Sequence, residues 1–224
     1  VTLTNRFALL LLLFVPALAA AQSIPGLEAA KSMTVNRAFD PGHYVPMTPH
    51  ERLMRWWKED GGSPTIHVEA FLFASSLQVE NNPSEWGRNI GGYGRRVGDV
   101  YGRTAIENTV HEGMGAIART DTRYFACSCR GFFPRLGHAL DMTIFTYTHS
   151  GHKILDVSQL SGAYGGAMIS TMWWPPHYSP LVQGVQDGHT QVGLIGAVHV
   201  IQEFSPELKR AFHIKPKTMP DRHP

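Results

Sequence analysis

Residues 83–119 read PSEWGRNIGGYGRRVGDVYGRTAIENTVHEGMGAIAR, a stretch with no proline after Pro83. Its glycines at 87, 91, 94, 98 and 102 are spaced four, three, four and four apart. On an α-helix these five positions fall within an arc of about 80°, and Ala105, Thr109, Gly113 and Ala116 prolong the strip. A glycine in a solvated helix costs about 1 kcal/mol relative to alanine, so a helix carrying this many requires a compensating contact. Close approach of a second helix backbone supplies one. The stretch therefore predicts a long helix whose Gly87, Gly91, Gly94, Gly98 and Gly102 face packs against a neighbour. Gly162 with Gly166, Gly184 with Gly188, and Gly193 with Ala197 repeat the four-residue spacing and predict further close contacts. A phosphate-binding loop does not fit, because Gly92, Gly94 and Gly98 give G-x-G-x-x-x-G with no strand before it.

Outward from this stretch the same start signal recurs. Thr48-Pro49, Ser63-Pro64, Asn82-Pro83, Ser179-Pro180 and Ser205-Pro206 each set a capping side chain before a proline, whose missing N–H is harmless in a first helical turn. Thr48 with Glu51 and Asn82 with Glu85 add the carboxylate of a capping box, and Asp156 with Gln159 marks one more start. The predicted helices are 49–59, 64–80, 83 to about 119, 135–147, 157–174, 180–204 and 206–213. Within 143–148, TIFTYT suits a strand at least as well, and a small hairpin with residues 153–155 is the alternative. The fold class is thus mainly α, a compact helical bundle with Gly/Ala-mediated packing and a small β-hairpin near 143–156.

The 224 residues, 43% hydrophobic and 17% charged, hold enough apolar material for one globular domain and too little charge for a disordered chain. The first 21 residues combine a basic start at Arg6, an apolar run from Phe7 and small residues at Ala19, Ala20 and Ala21. They predict a signal peptide cleaved after Ala19 or Ala21, and hence export to the periplasm or cell envelope. Residues 22–47 read as an irregular arm, 48–213 as the helical domain and 214–224 as a loose tail. A formal net charge of +2 gives no reason to expect nucleic acid as a partner.

Chemistry is carried by three pairs with helix-face spacing: Glu107 with His111, His138 with Asp141, and His199 with Glu203. If their helices converge, these six N/O donors suit zinc, iron or manganese and make a metal-dependent enzyme the alternative function. The leading expectation involves no cofactor: a structural or binding protein of the cell envelope. Trp56, Trp57, Trp173 and Trp174 are its candidates for apolar contact with a membrane surface, and a homo-oligomer is a second option for a partner. Cys127 and Cys129 stand one residue apart, where extended or helical backbone points the side chains away from each other. A bridge between them is geometrically poor, which leaves free thiols, an intermolecular bridge or a soft-metal contact. No nucleophile has an elbow or an adjacent base.

EWG at 85–87, GGYGRR at 91–96, DTRYF at 121–125, GHAL at 137–140, SGAYGGA at 161–167 and QEF at 202–204 together resemble a family of uncharacterised exported bacterial proteins of acidobacterial type. The resemblance spans about 85–204. It implies export and brings no activity, cofactor or catalytic residue with it.

Overall fold

The computed structural model describes residues 39–40, 43–58 and 64–211. The signal segment 1–21, most of the arm 22–47 and the tail 214–224 lie outside the described residues. The chain is mainly α, with helices α1 (Pro49–Trp57), α2 (Pro64–Glu80), α3 (Ile90–Ala118), α4 (Phe132–Asp141), α5 (Val157–Leu160), α6 (Gly166–Ser170), α7 (Pro180–Glu203) and α8 (Ser205–Ala211). One antiparallel hairpin, β1 (Phe145–Tyr147) with β2 (Lys153–Leu155), pairs Phe145 with Leu155 and Tyr147 with Lys153.

Two of the predicted starts form with the expected side-chain cap in place, and helices also begin at Pro64 and Pro180 as read. The Thr48 hydroxyl accepts the Glu51 N–H while the Glu51 carboxylate accepts the Thr48 N–H at 2.8 Å, completing a capping box on α1. The Asp156 carboxylate accepts the Gln159 N–H at 2.9 Å and caps α5. Asn82-Pro83 behaves differently. It leads into a 3-10 turn, Ser84–Trp86, and Gly87 at φ +68° then turns the chain out of helical geometry. The long helix accordingly starts at Ile90, where Asn89 caps by accepting the Gly92 N–H at 2.8 Å. The predicted helix 135–147 ends at Asp141, and the β-branched and aromatic TIFTYT enters the hairpin instead. The predicted helix 157–174 is interrupted: α5 passes through a π turn, Ser161–Gly165, into α6, and a 3-10 turn, Thr171–Trp173, ends the run.

Helix α3 is the axis of the packing. α1, α2 and the α5–π–α6 run lie against it, and α7 crosses that run and also covers α4. The close approaches are made by glycines, though not by the predicted stripe. A Cβ on Gly162 would stand 2.9 Å from the Glu107 carbonyl oxygen, and one on Gly166 would stand 2.9 Å from Glu107 Cα. Gly184 and Gly188 on α7 give the same clearance to Met168 and Tyr164. On α3, by contrast, Gly94 and Gly98 face open space, Gly91 meets only the Asn89 side chain, and Gly102 makes ordinary contact with Trp173 at 3.5 Å. Gly87 belongs to the turn before the helix. The glycine stripe of α3 is its outer face, because the side turned inward is occupied by charged side chains that find partners there.

Candidate functional site: a buried polar seam and an open groove

Asp99, Arg103, Glu107 and His111 recur every fourth residue and so share one face of α3, away from the glycine face. Arg103 is the hub of this seam. Its Nε lies 3.3 Å from Glu107 Oε1, and its Nη2 donates to Asp187 Oδ2 of α7 at 2.5 Å. Asp99 is buried, and its Oδ1 accepts the indole N–H groups of Trp173 at 2.7 Å and Trp174 at 2.8 Å. Burial raises the pKa of the Asp99 carboxyl above the usual carboxylate range despite both indole donors.

Glu107 and His111 carry opposite consequences of the same burial. Both are 7% exposed, beneath Gly162 and Gly166 of the π turn and α6. Desolvation pushes the Glu107 carboxyl up to about 7, with Arg103 opposing and Asp187 and Asp99 reinforcing the shift. Desolvation, assisted by Arg55 and Arg52, pushes the His111 imidazole down to about 3, and among the described residues its Nε2 has no hydrogen-bond partner. Glu112 belongs to a separate cluster: Arg52 Nη1 donates to its Oε2 at 2.7 Å, Arg55 Nε lies 3.2 Å from its Oε1, and the Thr122 hydroxyl donates to it at 2.9 Å.

A second polar centre gathers at the end of α7. Glu203 is buried, and its carboxylate accepts the Tyr124 hydroxyl at 2.6 Å, the Cys127 N–H at 3.0 Å and Arg135 Nε at 3.1 Å. His138 Nδ1 lies 3.8 Å from Glu203 Oε2, and burial lowers its pKa. His199 stacks on Tyr124 with ring centroids 4.6 Å apart and shares a 3.2 Å hydrogen bond with Thr143, and burial brings its pKa down to about 4.

The six predicted metal donors are therefore not assembled into one site. Glu107 and His111 belong to the α3 seam, His138, His199 and Glu203 surround the second centre, and Asp141 pairs with Lys153 of β2. Each carboxylate is taken by an arginine or lysine. Among the described residues no group of three or more His, Cys, Asp or Glu side chains is placed to hold a metal ion. Of the four tryptophans expected to make apolar contacts, Trp174 is buried on Asp99 and Trp56 donates to Thr109, while Trp57 is 61% and Trp173 44% exposed.

Trp173 also borders an open groove of about 520 Å³, lined with it by Trp86, Arg95, Gly98, Asp99 and Gly102. The groove exists because Gly98 and Gly102 place no side chain on that part of α3. Its lining brings together the Asp99 carboxylate, one of the indoles that hold it and Arg95. Sequence reading missed Asp99, Arg103 and Asp187, although the four-residue recurrence 99, 103, 107, 111 was there to be read beside the glycines. No family model matches the chain, and no curated protein or solved structure does.

Proposed function

We propose that the chain is an exported cell-envelope protein of structural or binding type that works against a membrane surface. The observation that carries this reading is the distribution of large apolar side chains. Where α6 gives way to α7, Met172 is 75%, Leu181 64% and Val182 57% exposed, with Ile169 and Trp173 beside them. Meanwhile Arg52, Arg96, Asp99, Glu107 and Glu203 are buried. Contiguous exposed apolar side chains mark contact surfaces, and an indole suits the interface between water and lipid. Among the described residues no helix is long and apolar enough to cross a membrane, so the proposed contact is peripheral. The resemblance to exported bacterial proteins fits the same reading. The alternative, a metal-dependent enzyme, lacks a supporting constellation, since its three carboxylates stand in separate ion pairs with Arg103, Lys153 and Arg135.

The test is flotation of the purified protein with vesicles of phosphatidylethanolamine and phosphatidylglycerol. The wild-type chain is expected to rise with the vesicles. The Met172→Glu/Leu181→Glu variant is expected to bind at least ~10-fold more weakly, because each buried apolar side chain contributes about 1.5–3 kcal/mol. Wild-type protein that stays at the bottom of the gradient overturns the membrane part of the proposal, and recovery in the cytoplasmic fraction of a bacterial host overturns export.

A further inference from the structure

Cys127 and Cys129 are joined by a disulfide, with their Cα atoms 5.1 Å apart. The sequence-based objection assumed extended or helical backbone. Residues 126–130 adopt neither form; they curl until the Cys129 N–H donates to Cys127 Sγ at 3.1 Å, and the two sulfurs come to the same side. The expectation of unbridged thiols is corrected on this point.

A bridge across one intervening residue ties no element of the fold to another. The stabilisation that a disulfide derives from restricting the unfolded chain grows with the loop it closes, and this loop is very short. The segment is fixed by other means: the Cys127 N–H donates to Glu203 Oε2 at 3.0 Å, and Arg135 holds the same carboxylate. Structural need therefore does not account for the bridge. Its surroundings suit chemistry. Both cysteines are half-buried and Ser128 and Arg130 beside them are exposed, so the bridge lies in a segment at the protein surface. The Cys129 N–H is aimed at the sulfur that would carry negative charge after cleavage, and a hydrogen bond to a thiolate stabilises it. Little loop-closure gain opposes reduction, and the reduced form has a donor waiting. Both properties favour an oxidising disulfide.

We propose that the Cys127–Cys129 bridge is a redox-active site that accepts two electrons from dithiols of other polypeptides. A thiolate of the incoming dithiol attacks Cys129 Sγ. The S–S bond breaks, and its electron pair goes to Cys127 Sγ, held by the Cys129 N–H. The second thiolate of the substrate then attacks its own sulfur in the mixed disulfide and releases Cys129. The substrate leaves oxidised to a disulfide, and its two protons end on Cys127 and Cys129. This inference is independent of the membrane reading.

The test uses the purified full chain, air-oxidised, with a synthetic C-x-x-C dithiol peptide as substrate. One intramolecular disulfide per chain, oxidation of one peptide per chain at roughly tenfold or more above the rate with the C127S/C129S variant, and an unchanged helical circular-dichroism spectrum on reduction are expected. A peptide with a single thiol should be trapped on Cys129, as seen by mass spectrometry of the digest. Two free thiols in the air-oxidised protein, a bridge that persists in excess glutathione, or loss of helix on reduction overturns the proposal. Trapping on Cys127 overturns the assignment of the leaving sulfur.

Discussion

Glu107 and His111 stand one turn apart on α3, and burial moves them in opposite senses, to about 7 and about 3. The carboxyl binds its proton more tightly in the folded chain than in the unfolded one. Its contribution to stability is thus complete below its ordinary value near 4.5 and is lost as the pH rises through about 7. His111 and His199 do the reverse. Their folded values of about 3 and about 4 lie below the ordinary 6.5, so they stabilise the fold above 6.5 and cease to do so as the pH falls toward 4. Two rising contributions against one falling one predict that denaturant stability, as far as these groups set it, climbs from pH 5 to pH 6.5. In Glu107→Gln the opposing contribution is gone, and the climb should be steeper. An identical slope in wild type and variant would show that Glu107 titrates at its ordinary value. The Glu107 and His111 pair was legible in the sequence from its spacing alone. Its chemistry was not, because spacing cannot show that Arg103 and two glycines, rather than a metal, are what those side chains meet.

At the scale of elements, α3 has two faces, one of glycines and one of charges, whose centres lie about 150° apart. Sequence reasoning chose the glycine face for the interior because glycines in a solvated helix are costly unless a second backbone comes close to them. The structure makes the other choice because the charges are matched: Arg103 with Glu107 and Asp187, Asp99 with two indoles, Glu112 with Arg52 and Arg55. The close-packing glycines lie outside the stripe, at Gly162, Gly166, Gly184 and Gly188 on the partner elements and at Gly92 and Gly115 on α3 itself. This predicts a split among alanine substitutions. Gly94→Ala and Gly98→Ala meet nothing within 4 Å, so each should stabilise the protein by about 0.5–1 kcal/mol through helix propensity. Gly162→Ala and Gly166→Ala drive a methyl group into α3 backbone and should destabilise it by about 1–3 kcal/mol. Urea denaturation of the four variants reads the signs directly. The capping pattern of α1 and α5 was legible because it is local; the true start of α3 was hidden by the left-handed turn at Gly87.

For the whole molecule, the described interior is sparing in bulky apolar side chains. Its largest aromatic cluster joins Tyr124, Phe125 and Met142 with Phe39, Tyr44 and Tyr147, and elsewhere the buried apolar positions include Ala70, Ala74, Ala139, Ala163 and Ala167. Much apolar surface stays outside, including Phe132, Phe133 and Leu140 along α4. A surface of this kind should drive self-association in water when no amphiphile is present. Sedimentation is expected to show larger species at higher protein concentration that resolve to one smaller species in mild detergent, and Met172→Glu/Leu181→Glu should weaken the association. A single species at all concentrations would mean that the patch is tolerated by water. Mainly helical character could be read from the sequence, since caps and prolines act locally. The inversion of polar and apolar surfaces could not, since it depends on which arginine reaches which carboxylate across helices distant in the chain.

The π turn at Ser161–Gly165 has a consequence for heredity as well as for packing. It widens one turn by a residue, so that Ser158 before it and Ala167 after it can both point into the interior. Removing the extra residue at Gly165 would restore uniform winding and leave both halves in register, whereas inserting a second one would rotate one half by about 100° against the other, turning either Ser158 or Ala167 toward solvent. Added length is thus what the fold cannot absorb at this place, and identity is the freer quantity at its exposed positions. A single-codon insertion there should abolish the cooperative thermal transition, while deletion of Gly165 or replacement of Ile169 by another aliphatic residue should leave it in place.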